Sequence, residues 1–236
     1  PLTEGDVADK LAAFRAELEL FQGPSFDTIS AAGANAAMCH YHHPENPVTN
    51  LSRDSVYLVD SGGHYLDGTT DITRTVATGP QVDAELNKLF TLVLKGHIAL
   101  DLARFPRGTT GTHLDVLARQ FLWAEGFDFD HGTGHGVGSF LGVHEGPQRI
   151  ARAWNAAALA PGMIVSNEPG YYRDEAFGIR CENLLVVREA KSIEGEVPML
   201  EFDCLTFVPF DRRLIDVELL TAAERSWIDG YHQRVL

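Results

Sequence analysis

Apolar positions along this chain follow two periods, and each change of period marks the boundary of an element. Leu11, Phe14, Leu18 and Phe21 recur at helical spacing behind Thr3, whose partner Asp6 makes a capping box. A helix is therefore predicted over residues 3–20, ended by Gly23-Pro24. Short strand-like runs follow around Thr28 and over residues 37–41, 55–59 and 71–77, separated by Gly, Pro and Asn. Val82, Leu86, Leu89, Val93 and His97 then mark a long amphipathic helix that stops near Pro106. A second round begins at Thr112, read as a cap with Asp115, and its helix runs to Glu125 before Gly126. Strands are predicted over residues 163–167, 178–187 and 205–208, and a last helix starts at the box Thr221-x-x-Glu224.

Strands clustered between helices predict an α+β fold with an antiparallel sheet, not a doubly wound one. The order of elements is roughly twofold, without a convincing sequence repeat. No Pro/Gly-rich linker divides residues 1–236, so one domain is expected.

Composition narrows the function classes. The chain carries 33 acidic and 19 basic residues, a formal net charge of -14. Nucleic acid is excluded as an expected partner, because phosphate binding needs a basic patch. Cys39, Cys181 and Cys204 have no C-x-x-C spacing, so neither a disulfide framework nor a zinc knuckle is expected. That cysteine usage suits a reducing cytoplasm. Cys39 and Cys181 directly precede His40 and Glu182, and on a strand they would be small buried thiols on the opposite face. No apolar run reaches the length of a membrane span, no signal-peptide pattern is present, and no membrane partner is expected. Pro1 stands where Met would begin a gene product, as in a part of a longer protein.

Five potential ligands stand in stretches rich in glycine and turn residues: Asp60 in Val59-Asp60-Ser61-Gly62-Gly63, Asp71 in Asp67-Gly68-Thr69-Thr70-Asp71-Ile72-Thr73-Arg74-Thr75, His135 in His131-Gly132-Thr133-Gly134-His135-Gly136-Val137-Gly138, Glu168 in Ser166-Asn167-Glu168-Pro169-Gly170, and Glu182 in Phe177-Gly178-Ile179-Arg180-Cys181-Glu182-Asn183. Singly, each carboxylate would pass as a turn cap or a surface charge. Together, four carboxylates and one imidazole suit two divalent cations, which remove the repulsion among the carboxylates and hold a water. The chain therefore reads as a hydrolase. Asp71 and Thr73 share a strand face, as do Arg180 and Glu182, which places Arg180 to orient a liganding carboxylate. His131 and His135 are four apart, yet the glycines between them make a helix improbable at about 1 kcal/mol each. An extended loop with both rings on one side is expected instead. His144 is followed by Glu145, but Gln148 stands where H-E-x-x-H needs its second histidine.

With these residues in view, the chain resembles the catalytic domain of Xaa-Pro aminopeptidases of the cytosolic three-domain branch, which share the pita-bread fold with methionine aminopeptidase and prolidase. The resemblance rests on residues 56–62, 67–75, 94–99, 131–141, 143–147, 161–172 and 177–183, extends to the tail 205–232, and covers nearly the whole chain. It implies a pseudo-twofold fold with a curved antiparallel sheet flanked by helices. Asp60, Asp71, His135, Glu168 and Glu182 would hold two metal ions, with Asp71 and Glu182 bridging. Mn2+ is the metal expected from the hard oxygen ligands, with Co2+ or Zn2+ as alternatives. His40, His131 and His144 would face substrate, and Arg180 and Tyr172 would support the site.

The implied reaction is removal of the residue before proline from a peptide whose second position is proline, by a hydroxide held between the metals. Glu168 would both ligate and move the proton. The spacing from His135 to His144 is two residues longer than in the methionine aminopeptidase pattern, which argues against an initiator-methionine enzyme. The branch carries domains ahead of the catalytic one, absent from this sequence, and homodimerisation is suggested by the family. An Xaa-Pro dipeptidase (prolidase), or a metal-binding domain that is weakly active in isolation, are the alternatives. A non-haem iron oxygenase does not fit, since one histidine among four carboxylates does not make its two-His-one-carboxylate face.

Overall fold

The computed structural model describes residues 2–45, 48–80, 82–192 and 195–236. Helix α1 (Glu4–Ala16) is capped by Thr3, whose side chain accepts from the Asp6 N–H while the Asp6 carboxylate closes the box. The helix ends four residues earlier than predicted, because Phe21–Pro24 turns into a strand paired with Gly63–Tyr65. Strands β1 (Ile29–Ala32), β2 (Val56–Ser61) and β3 (Ile72–Ala77) form an antiparallel sheet in that order. The strand predicted over residues 37–41 does not form. Gly33–Ala37 is a 3-10 helix, and Cys39 is half-buried beside the exposed His40 rather than behind it.

Helix α2 (Ala84–Asp101) starts at the cap Asp83, and β4 (Arg104–Pro106) follows it. Helix α3 (Gly111–Trp123) corrects the predicted cap. Thr110 caps it with His113, two residues before the predicted pair, while Asp115 points into the protein and binds Arg119. Leu89, Phe90, Val93, Leu94 and Ile98 of α2 join Leu114, Ala118 and Leu122 of α3 in one buried core. That burial stabilises the pair more than helix propensity alone could.

The second half of the chain builds β5 (Ile164–Asn167), a hairpin of β6 (Gly170–Arg173) and β7 (Phe177–Arg180), then β8 (Asn183–Glu189) and β9 (Met199–Cys204). Their four-stranded sheet has the order β5-β8-β9-β4. The single strand predicted over 178–187 is thus two, broken at Cys181-Glu182. The strand predicted over 205–208 lies earlier, at β9, where alternate residues are buried. Helix α4 (Ala222–Val235) starts at the predicted Thr221–Glu224 box and closes the chain. Among the described residues no helix is long and apolar enough to cross a membrane. The architecture is α+β: its antiparallel sheets include β1-β2-β3 from the first half of the chain and β5-β8-β9, which takes β4 from the first half as its edge strand.

Candidate metal centre

Sheet register explains why distant carboxylates converge. Asn167 of β5 pairs with Asn183 of β8, so Glu168, just after one strand, and Glu182, just before the other, leave the sheet at the same end. In the other sheet Asp60 pairs with Thr73, and the Thr73 hydroxyl donates to Glu182 Oε2 at 2.7 Å across to the second sheet. Asp71 stands one residue ahead of β3. His135 approaches from a loop whose glycines allow close contact. A Cβ on Gly134 would lie 1.9 Å from the Ser166 carbonyl oxygen, and one on Gly136 would lie 2.0 Å from that of Glu145. All five side chains line one cavity of about 480 Å³.

The ligand atoms fall into groups within 4.8 Å of one another: Asp60, Asp71 and Glu182 form one, His135, Glu168 and Glu182 a second, and Asp71, His135 and His144 a third. Glu182 belongs to the first two, Asp71 to the first and third, and His135 to the second and third, so these three side chains are shared between groups. His135 Nε2 is 3.3 Å from Asp71 Oδ2 and 3.2 Å from Glu168 Oε1, while its Nδ1–H donates to the Gly136 carbonyl at 3.0 Å. That second bond fixes the ring so that Nε2 faces the carboxylates.

Metal-free, the cluster is electrostatically frustrated. Burial, reinforced by Asp60 and Glu168, pushes the Asp71 carboxyl up to about 7 despite its bond to His135. Burial and the neighbouring Asp71, Asp60 and Glu168 raise Glu182 well above the carboxylate range. Burial works against charge on His135, but its bonds to Asp71 and Glu168 prevail and raise it to about 11. The same pairing outweighs burial at Glu168 and holds it at about 2. Asp60 Oδ1, Asp71 Oδ1 and Glu182 Oε1 are buried with no hydrogen-bond partner among the described residues. Orphaned buried oxygens are costly, and three of them on adjacent carboxylates fit divalent cations better than any protein donor present.

The supporting residues form a chain. Arg180 Nη2 donates to Asp60 Oδ2 at 2.7 Å, Nε to the Thr73 hydroxyl at 3.1 Å, and Nη1 to the Tyr172 hydroxyl at 2.6 Å. Arg180 thus holds Asp60 directly and meets Glu182 only through Thr73. The Tyr172 hydroxyl donates to His131 Nε2 at 2.8 Å, and His131 Nδ1–H donates to the Gly132 carbonyl. Burial lowers the pKa of His131, and burial followed by the charge of His135 lowers that of His144. His144 lies edge-on to His135 with ring centroids 4.2 Å apart, at the exposed side of the cavity, and His40 lines the wall beside Cys39.

Four residues at the site lie outside the sequence reading. Arg149 lines the cavity five residues after His144, and its nearness to that motif was the available signal. Phe26 and Ile29 form an apolar wall. Arg15 of α1 donates to the Ser61 hydroxyl at 3.0 Å, next to Asp60, and nothing in the sequence pointed to it.

The model of metallopeptidase family M24 matches residues 1–189, and that of the C-terminal region of peptidase M24 matches residues 198–236. The chain belongs to metallopeptidase family M24. Within that family it is similar to a probable Xaa-Pro aminopeptidase P of Tuber melanosporum, 53% identical over 238 residues that cover 99% of this chain and 38% of the relative. Among solved M24 structures, the X-prolyl aminopeptidase of Caenorhabditis elegans, described as a cytosolic enzyme with a di-nuclear active site, superposes with a TM-score of 0.93 at 43% identity. That match covers 99% of this chain and 38% of the nematode chain. The prolidase of Pyrococcus furiosus superposes with a TM-score of 0.72 at 28% identity, covering 87% of this chain and 56% of its own. The pita-bread fold expected from the resemblance is therefore the fold of this M24 chain. The chain spans little more than a third of the length of the aminopeptidase relatives.

Proposed function

We propose that residues 1–236 are a single catalytic domain of an Xaa-Pro aminopeptidase, hydrolysing the bond between the first residue of a peptide and a proline in second position. The observation that carries this reading is the cluster of five side chains around one cavity, with three carboxylate oxygens left without partners among the described residues. Asp60, Asp71, His135, Glu168 and Glu182 would hold two divalent ions, and the oxygen-rich set favours Mn2+ over Co2+ or Zn2+. Bound there, the ions supply an acidified water at neutral pH and polarise the scissile carbonyl.

The chain's own groups do the rest. Glu168, hydrogen-bonded by the Ser166 hydroxyl at 2.9 Å, takes the proton of the attacking water. His144, at the open side of the cavity, donates to the oxygen on which negative charge develops. His131, its pKa lowered by burial, spends Nε2 on the Tyr172 hydroxyl and Nδ1–H on the Gly132 carbonyl, so its ring serves as a fixed wall of the cavity beside the scissile bond. Arg180 keeps Asp60 aimed through its bond to Oδ2. His40 and the wall of Phe26 and Ile29 border the space for the residues around the scissile bond. Proline on the far side of that bond has no amide N–H, so the site need not satisfy one.

The identity to aminopeptidase P relatives, higher than to prolidases, supports exopeptidase action on longer peptides. The nematode relative is described as a cytosolic enzyme, and on that likeness we assign this chain to the cytoplasm. The test is a chelated protein reconstituted with Mn2+ and given an Xaa-Pro-Xaa tripeptide, an Xaa-Pro dipeptide and a Met-Ala peptide. Metal-dependent release of the first residue from the tripeptide alone is expected. Preference for the dipeptide would make this a prolidase, and binding of two ions without turnover would make it a domain that needs additional chain to complete the site.

A further inference from the structure

Strand alternation in β3 sends Thr73 toward the metal centre and Arg74 the opposite way, into the protein. Arg74 is 5% exposed. Its Nη1 donates to the carbonyls of Thr73, at 2.8 Å, and of Glu182. Its Nη2 donates to Asn183 Oδ1 at 2.7 Å, to the Val208 carbonyl at 2.6 Å and to the Tyr231 hydroxyl at 2.9 Å. Its Nε reaches the Val208 and Pro209 carbonyls at 3.2 Å, and the Phe210 ring lies 4.0 Å from the guanidinium carbon.

Every one of these acceptors is neutral. Burying a cation among neutral groups is costly, and packing alone would be met by an apolar side chain of similar volume. What the acceptors share is location. They come from the start of β3, from Glu182 and Asn183 at the joint where β7 gives way to β8, and from the C-terminal part of the chain, Val208-Pro209 and Tyr231 of α4. A planar fork with five donors can bind all three at once, and a lysine ammonium cannot.

The joint it grips is the one that aims Glu182. The Glu182 N–H donates to the Thr73 carbonyl at 3.2 Å, and the Glu182 carboxylate accepts from the Thr73 hydroxyl. Arg74 closes this arrangement from behind by taking the carbonyls of both residues. Tyr231 completes the link. Its hydroxyl oxygen accepts from Arg74 and from the Val208 N–H, and lies 2.9 Å from the carbonyls of Thr206 and Val208. We propose that Arg74 is a positioning residue for Glu182, and that with Tyr231 it makes ion binding at the centre depend on the C-terminal segment. This rests on the reading of Glu182 as a metal ligand given above.

The test measures binding and not turnover. Chelated protein of residues 1–236, as wild type, Arg74→Lys and Tyr231→Phe, is titrated with Mn2+ by calorimetry, and the melting temperature of each metal-free protein is recorded. Both variants are expected to weaken at least one ion by about 10-fold or more, the usual effect of removing a partner that orients a ligand. Arg74→Lys should lose more than Tyr231→Phe. A purely structural role would lower the metal-free melting temperature and leave Mn2+ affinity and a stoichiometry of two unchanged, and that result overturns the proposal. If Arg74→Lys does not fold, Tyr231→Phe decides alone, because it removes one hydroxyl and keeps the ring stacked on Trp227. A wild-type chain that binds two Mn2+ ions but cuts no peptide would overturn the proposed activity and not this inference.

Discussion

Glu182 shows how much one side chain can depend on its surroundings. Its Oε2 is held by Thr73, its Oε1 has no partner among the described residues, and its carboxyl is pushed far up by burial and by three other carboxylates. Replacing Glu182 or Asp71 with Ala should abolish bound metal and turnover together, since each belongs to two of the ligand groups. Metal analysis beside a tripeptide assay checks this, and normal turnover in either variant would sink the assignment. His144→Ala should keep both ions and lose about 100-fold or more in kcat, the scale of removing one donor from an oxyanion site. Loss of metal instead would make His144 a ligand.

The five candidate ligands were legible only as a set: each alone would pass as a turn cap or a surface charge, but four carboxylates and one imidazole together suit divalent ions. Arg74 and Arg15 were not legible. A charged residue on a strand or helix reads as solvated until the element that covers it is known.

At the scale of elements, α3 carries a load that its sequence pattern concealed. Asp115 accepts from Arg119 Nε at 2.6 Å and from the Thr133 hydroxyl at 2.6 Å. Arg119, 1% exposed, also donates to the carbonyls of Phe129 and His131. This buried pair therefore ties a helix to the glycine-rich loop that presents His131 and His135. Arg119→Ala should destabilise the fold by about 3–5 kcal/mol, because it leaves Asp115 buried without its counter-charge. Urea unfolding of the metal-free protein measures this, and a change below about 1 kcal/mol would show that the pair is dispensable.

Asp115 was read as a cap partner of Thr112, whereas the true cap is two residues earlier, since capping signals locate a helix start only to within a turn. The strand predicted over 205–208 moved to β9 for a related reason. Short apolar runs fit several registers, and pairing with β8 selects the one that buries alternate residues.

For the whole molecule, the metal centre sets how stability depends on pH. Without metal, Asp71 titrates near 7 in the folded chain against 3.8 as its ordinary value, and Glu182 shifts in the same direction. The folded state then binds more protons than the unfolded state, so its stability falls as pH rises from about 4 towards 7. His135, raised to about 11, adds a contribution that is full below 6.5 and is lost as pH rises above it. Glu168, held at about 2, acts oppositely, but only below its ordinary value of 4.5. Divalent ions bind the deprotonated ligands, so their stabilisation grows with pH. The gap between metal-loaded and metal-free melting temperatures should be wider at pH 8 than at pH 6, as a thermal melt in each buffer will show. A gap that narrows would mean that the carboxylates are not the metal ligands.

The sequence by itself determined the fold class, the helices with their Thr3 and Thr221 boxes, and the identity of the candidate ligands. These follow from local periodicity, capping chemistry and residue type, all of which act over a few neighbouring positions. Only the tertiary structure decided which carboxylate oxygens are left without partners, that Arg180 serves Asp60, and that Arg74 faces away from the site yet grips Glu182. Those facts depend on strand register and on which buried groups meet across segments more than a hundred residues apart, where burial and charge act through space and not along the chain.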